Sequence, residues 1–157
     1  MPLVPNTTIP GLVLTSVGDG QNSSVWNTSS ATNLISQTYS ISGLLVAYTS
    51  GATNYLPSFF QPVQPGHSQT LLGVIGMVHG GTSVTYSVYH GTGGAALPGS
   101  AVGGLTGLTA STTVPTSLTA PTSTLAVANL DYFNIQITAI SGTPDGGSIT
   151  FVFQDVS

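Results

Sequence analysis

The stretch QTLLGVIGMVHGGTSVTYSVYH, residues 69–90, decides the fold class of this 157-residue chain. Both of its halves are rich in β-branched and aromatic residues, and Gly80-Gly81 separates them. Two glycines tolerate the positive φ angles of a primed two-residue turn, so the stretch predicts a β-hairpin. The first arm, Gln69 to His79, is apolar on both faces and is expected to be a central strand. The second arm, Thr82 to His90, alternates and is expected to be half-exposed.

Strand-like patterns recur on both sides of this hairpin. Alternation with a period of two begins at Gln37 and continues to Tyr48, and a short strand or turn segment follows at Asn54 to Phe60. Residues 91–123 are rich in Gly, Ala, Thr, Ser and Pro, which predicts one or two thin strands or a long surface excursion. Tyr132 to Ile140 and Ser148 to Gln154 both alternate, and they predict a closing hairpin whose arms line the core.

No segment carries the apolar stripe of a helix, and Glu, Lys and Arg, which favour helices, are absent. The chain is therefore predicted to be all-β. Seven to nine short strands separated by Gly- and Pro-rich turns favour a single β-sandwich, with jelly-roll and Ig-like topologies both open. We expect residues 1–35 to form an extended N-terminal arm or edge element and residues 36–157 to form the sandwich domain.

Charged side chains are nearly missing from this sequence. It contains no Lys or Arg and four acidic residues, for a net charge of −4. A chain without basic residues cannot neutralise phosphates, which argues against nucleic acid and anionic membranes as partners. Little charge repulsion opposes self-association, so we expect a homo-oligomer, with a trimer as one option. The sequence shows no membrane-helix run and no signal-peptide pattern.

Histidine and aspartate supply the candidates for catalytic or metal chemistry. In the predicted hairpin register, His79 lies opposite Thr82 and His90 opposite Leu71, which separates the two histidines by roughly 25 Å. His67 would lie near the His90 end. Hydrogen-bonded or solvent-facing histidines are the default expectation.

The remaining motifs give no support to an active site. No Gly-x-Ser-x-Gly elbow is present, cysteine is absent, and Asp131 and Asp145 have ordinary turn-forming explanations. A hydrolase that pairs a histidine with one of these aspartates is the least favoured alternative. We expect no catalytic residue, no metal site and no cofactor.

Aromatic side chains remain as candidates for a binding role, because Tyr and Trp pair an apolar ring with a polar group. Tyr89 is on the polar face of its strand, and Trp26 lies among Asn, Ser and Thr residues, so both are expected to be exposed. Such residues serve either a glycan or a subunit interface. The candidates are Trp26, Tyr48, Tyr55, Tyr86 and Tyr89.

The strand rhythm and turn composition of four segments carry a family resemblance. These segments are Leu71 to Val78, Thr82 to Val88, Asp131 to Ile137 and Asp145 to Phe151. Over residues 37–157 the chain resembles the small β-sandwich virion proteins of tailed bacteriophages, which include minor tail, fibre and head-decoration proteins. The absence of Lys and Arg departs from most such proteins and puts docking by salt bridges in doubt.

The resemblance implies a non-enzymatic structural protein that is assembled in the host cytoplasm and resides in the virion. Within that class, a minor tail or fibre component that contacts host surface glycans is favoured over a capsid decoration protein. Its expected partners are other virion proteins and further copies of itself. A free carbohydrate-binding module is the alternative outside the class.

Overall fold

The structure, a computed structural model, describes residues 12–16, 24–28, 32–42, 55–113, 115 and 117–157. These residues form strands and turns, and no helix among them has the length and hydropathy to cross a membrane. The predicted all-β sandwich is confirmed. The strands are β1 (Leu12–Ser16), β2 (Ser24–Thr28), β3 (Thr32–Ser42), β4 (Phe59–Gln61), β5 (Ser68–Gly80), β6 (Ser83–Gly91), β7 (Ser100–Ala101), β8 (Leu108–Ser111), β9 (Leu125–Val127), β10 (Asp131–Ser141) and β11 (Pro144–Val156).

Strands β1 and β2 pair with each other, and the other nine belong to one curled sheet. We divide this sheet into a first half-sheet, in the order β3-β11-β5 with β9 also on β5, and a second half-sheet, β8-β6-β10-β4 with β7 also on β6. A single parallel bridge between Met77 and Ser111 joins the two halves. Strand β3 begins at Thr32, inside the range predicted as the arm.

The core lies between the two half-sheets. The ring of Phe133 on β10 lies 5.3 Å from the ring of Phe151 and 5.7 Å from that of Phe153, both on β11. Because β10 pairs with β4 and β6 whereas β11 pairs with β3 and β5, these contacts cross from one half-sheet to the other. Phe59 on β4 stacks on Phe133 and completes an aromatic cluster at the centre of the core.

Both predicted hairpins are wrong, although their strands are present. Strand β5 pairs with β11, β8 and β9, and β6 pairs with β10, β7 and β8, so the two arms of the first hairpin belong to different half-sheets. The predicted histidine register fails with it, because His79 lies opposite Gly146 and His90 lies opposite Phe133 and Ser100. Strands β10 and β11 likewise belong to different half-sheets. The β5–β6 and β10–β11 turns are therefore corners at which the chain passes from one half-sheet to the other.

The two corners pack against each other, which explains why their turn residues are so restricted. Gly80 and Gly81 have the predicted positive φ angles of 63° and 59°. A Cβ on Gly81 would lie 2.5 Å from the backbone nitrogen of Pro144, which leaves room only for glycine. The amide of Thr82 donates a 3.0 Å hydrogen bond to the carbonyl oxygen of Ser141. The glycines thus allow the β5–β6 turn to pack directly against the β10–β11 turn.

Candidate functional site

A cleft lies on the outer face of the second half-sheet, over β10. Its walls come from the segment before β4 and from the loop between β6 and β7. Its volume is about 510 Å³. We call it the outer cleft, and its lining residues are Tyr55, Leu56, Pro57, Ser58, Leu97, Pro98 and Asn134.

Hydrogen bonds hold the side chains beneath this cleft in place. The alternation of β10 directs Tyr132, Asn134 and Gln136 away from the core, yet all three are buried because the neighbouring segments cover them. The hydroxyl of Tyr132 donates to the carbonyl oxygen of Ala96 at 2.7 Å, and Nδ2 of Asn134 donates to the hydroxyl of Ser58. The floor of the cleft is therefore fixed.

The outer cleft offers aromatic, amide and hydroxyl groups without any charge. Oδ1 of Asn134, at the floor of the cleft, is buried and has no hydrogen-bond partner among the described residues. Leu97 leaves 64% of its surface exposed beside it. A neutral ligand with hydroxyl donors and an apolar face fits this set of groups.

Two of the predicted binding residues contact each other beside the cleft, which Tyr55 lines. The rings of Tyr55 and Tyr89 meet edge to face with centroids 5.3 Å apart, and the hydroxyl of Tyr89 donates to Oε1 of Gln136 at 2.8 Å. Burial and a hydrogen bond to Tyr89 raise the pKa of the Tyr55 hydroxyl. The Tyr55 hydroxyl therefore stays protonated at physiological pH, and Tyr89 lies on the polar face of β6 that alternation predicts.

The other candidates have different positions. Tyr86 points into the core, where it is 2% exposed and its ring packs against Gly76, so it cannot contact a ligand or a second subunit. Burial raises the pKa of Tyr86 to about 12. Trp26 lies on β2, but its side chain is outside what the structure describes, and Tyr48 lies outside the described residues. Ser58 and Asn134, which the sequence analysis did not single out, are the polar residues that the structure adds to the cleft.

A second cluster of polar residues lies inside the sandwich, at one end of the core. We call it the polar layer, and it consists of core-facing or adjacent residues at the ends of strands from both half-sheets. Oε1 of Gln69 accepts a 2.8 Å hydrogen bond from Nε2 of Gln61, which joins the two half-sheets through buried amides. The layer consists of Gln61, His67, Gln69, His90, Asp131 and Asp155.

Two histidine–aspartate pairs belong to this layer. Nδ1 of His67 lies 2.7 Å from Oδ2 of Asp155, and Nε2 of His90 lies 2.9 Å from Oδ2 of Asp131. The predicted turn role of Asp131 also holds, because Oδ2 accepts a 2.9 Å bond from the amide of Ala128. Asp131 and Asp155 thus lie inside the fold, each beside a partly buried histidine.

The polar layer does not assemble a metal centre among the residues that the structure describes, where no group of three or more His, Cys, Asp or Glu side chains comes together. His90 also borders a smaller cleft of about 450 Å³, whose other lining residues are glycine, alanine, serine and threonine. Both aspartates are at least nine-tenths buried, and each is anchored by backbone or side-chain donors. Within the layer, the Gln61–Gln69 bond links the two half-sheets, and each of the two aspartates pairs with a histidine.

Acidification is expected to cost the wild-type protein more stability than it costs the Asp155→Asn variant. Hydrogen bonds from His67 and from Gln69 hold the pKa of Asp155 below its ordinary value. The unfolded chain, with a carboxyl pKa of about 3.9, therefore takes up this proton before the folded protein does. The carboxylate contributes stability above that pH, and the contribution is lost as the pH falls through the folded-state pKa.

Urea unfolding at a series of pH values between 7 and 2 measures this effect. The free energies of unfolding of wild type and Asp155→Asn should differ at pH 7 and converge in acid. Asp145→Asn removes an equally charged but exposed residue, and it should follow the wild-type curve. A gap between wild type and Asp155→Asn that stays constant with pH would contradict the assignment.

Comparisons with known proteins identify no family for this chain. No family model and no curated protein matches it. It is similar at 14% identity to a chain described as "Structure of infectious bursal disease virus Gt strain", over 90% of this chain and 40% of that chain. The TM-score is 0.16, a likeness too weak to carry an argument about fold or function.

Proposed function

We propose that this protein is a non-enzymatic structural component of a bacteriophage virion, a minor tail or fibre protein that contacts host surface glycans through the outer cleft. The observation that carries the glycan contact is the uncharged lining of that cleft, in which a tyrosine ring, an apolar edge and a buried amide acceptor converge. Membership of a virion is supported by the resemblance in strand rhythm to small phage β-sandwich proteins.

The chemistry of the cleft suits a sugar. A pyranose presents hydroxyl donors around its rim and apolar C–H groups on its faces, and it is often uncharged. Tyr55 and Leu97 offer apolar surface, while Ser58 and Asn134 offer hydrogen-bonding groups at the floor. Since the chain has no Lys or Arg, it lacks the groups that would hold phosphate or carboxylate ligands instead.

Replacing Tyr55 by Ala should weaken glycan binding by about tenfold, which is the effect of losing about 1.4 kcal/mol of contact energy. The probes are bacterial surface polysaccharides on an array, followed by titration calorimetry with oligosaccharides from the best binder. Tyr55→Phe is the matched control, because it keeps the ring and removes only the hydroxyl that bonds to Tyr89. It should bind nearly as well as wild type.

Thermal unfolding of each variant verifies that the fold is intact. An array on which no polysaccharide binds the wild-type protein, or equal affinities for wild type and Tyr55→Ala, would refute the glycan site. Neither result would bear on the virion assignment, which the labelling experiment below tests separately.

Location in a particle is tested by immunogold labelling of intact phage particles from the source host. Label at the tail tip or fibres supports the proposal, and label over the head replaces it with the decoration protein. Glycan binding without label on any particle would favour the free carbohydrate-binding module.

A further inference from the structure

The outer edge of the first half-sheet is long and carries no feature that would prevent pairing. Strand β3 has 11 residues, and among the described residues it pairs only with β11. In an antiparallel ladder, alternate residues point their N–H and C=O groups away from the partner, so the outer side of β3 presents a row of such groups. This row is a template for a further strand.

The sequence of β3 lacks the residues that usually protect an edge strand from pairing. Proteins usually protect edge strands with Pro, Lys, bulges or shortness, and β3 (TNLISQTYSIS) contains no Pro, no Gly and no charged residue. Its ladder with β11 runs without a register shift over all 11 residues. Leu34, at the start of the strand, has 71% of its surface exposed.

The opposite edge of the sheet is protected in the usual way. Strand β4 has three residues, and Pro57 and Pro62, which lack an N–H donor, stand on either side of it. The nine-stranded sheet therefore ends in one strand suited to pairing, β3, and one that is blunted, β4.

We propose that β3 pairs antiparallel with β3 of a second copy of this chain, which joins two sandwiches into a two-fold symmetric dimer with one continuous sheet. This inference does not depend on the proposed glycan contact. A second copy suits the edge because neither strand brings a charge, so nothing repels when two copies meet. A strand is also self-complementary when it pairs antiparallel with itself.

The side chains of β3 are compatible with this pairing. Full overlap of the two strands centres the axis on Gln37 and places Ser36 of each copy opposite Thr38 of the other. The existing ladder already contains a contact of this kind, since the hydroxyls of Thr38 and Thr150 lie 2.9 Å apart on the exposed face of β3 and β11. Cross-strand hydroxyl pairs of this type add to sheet stability.

The geometry also predicts two copies and not three. A ring built through sheet edges needs two different edges on each copy, one to give and one to receive. Of the two end strands of the nine-stranded sheet, β4 is short and bordered by proline, so β3 is the one suited to pairing. Once β3 pairs with an identical strand, this sheet has no second free edge of that kind. The trimer considered from composition is therefore not the assembly that this edge favours.

A lysine at Ser36 tests the proposal. Ser36 is exposed, and in the dimer its two copies occupy diagonal positions across the axis, so Ser36→Lys places two ammonium groups near each other on the edge. Sedimentation equilibrium of the full chain should give twice the monomer mass for wild type, with a dimer dissociation constant at least about tenfold weaker for Ser36→Lys. Ser100→Lys changes an equally exposed serine on β7 and should remain dimeric.

Hydrogen exchange provides a readout that does not require a variant. The outward amides of β3 should become more protected as the protein concentration rises through the dimer range. A monomeric wild type, a trimer, a Ser36→Lys protein that dimerises like wild type, or β3 protection that is independent of concentration would each overturn the proposal. The last result would mean that another segment of the same chain covers the edge.

Discussion

Replacing Phe133 by Ala should remove about 3–5 kcal/mol from the free energy of unfolding, the range for deleting a large aromatic side chain from a packed core. The ring of Phe133 is fully buried, and four other rings surround it at centroid distances of 5.1 to 5.7 Å. They belong to both half-sheets, so no single element can move to fill the cavity. The rings are those of Phe59, His90, Phe151 and Phe153.

Such a loss is large compared with the total stability of about 5–15 kcal/mol that is typical of a domain. Urea unfolding of the Phe133→Ala variant should therefore show a much lower midpoint, with a partly unfolded population in native buffer if the protein is of ordinary stability. Phe60→Ala makes the same chemical change on β4, opposite Tyr132 and next to the Phe59–Phe133 pair. The ring of Phe60 is 60% exposed and touches only Tyr132 among the described ring contacts. That control should lose about 1 kcal/mol or less. Equal losses in the two variants would show that the aromatic cluster is not the centre of the core.

The strands of this core could be predicted from the sequence, but their neighbours could not. Alternation located β6, β10 and β11, an apolar run located β5, and the pair Gly80-Gly81 predicted the positive φ angles of the turn between β5 and β6. Alternation states which face of a strand is buried, yet it is silent on which strand lies beside it. Sequential strands usually pair, and here the two turns are corners that carry the chain across the core instead.

The polar layer was missed for a related reason, although the sequence carried a signal. Asp131 has the same phase as Phe133, and Asp155 has the same phase as Phe153, so both aspartates continue the buried face of their strands. Polar residues in a core phase at a strand end predict a buried partner. The sequence does not show which residues of the two half-sheets face each other across the core. That alignment brings Gln61 within hydrogen-bond distance of Gln69.

The residues of the outer cleft were likewise predictable only in part. The polar phase of β6 placed Tyr89 correctly on an outer face, whereas Tyr86 belongs to the apolar phase with Val84 and Val88 and is buried with them. Alternation alone therefore predicts that Tyr89 is on the outer face and that Tyr86 is buried. The walls formed by Pro57 and Leu97 come from irregular segments, for which periodicity gives no prediction.

Removing the carboxylate of Asp131 should cost about 1–3 kcal/mol for each buried donor that is left without an acceptor. Asp131 is 3% exposed, and its Oδ2 joins the side chain of His90 and the amide of Ala128. In Asp131→Ala both donors lose their acceptor inside the fold, and a buried donor without a partner carries its full desolvation penalty. Asp131→Asn retains an oxygen for the amide of Ala128 and should lose distinctly less.

A double-mutant cycle with His90 separates the pair from the turn. If the two side chains act together, the loss in the double variant Asp131→Ala with His90→Ala should fall short of the sum of the single losses by about 0.5–3 kcal/mol, as for residues in direct contact. Asp145→Ala, an exposed aspartate at the start of β11, should change stability by about 0.5 kcal/mol or less. Losses as small for Asp131→Ala as for Asp145→Ala, measured by urea unfolding at pH 7, would contradict a structural role for the polar layer. Additive losses would assign the role of Asp131 to the Ala128 turn alone.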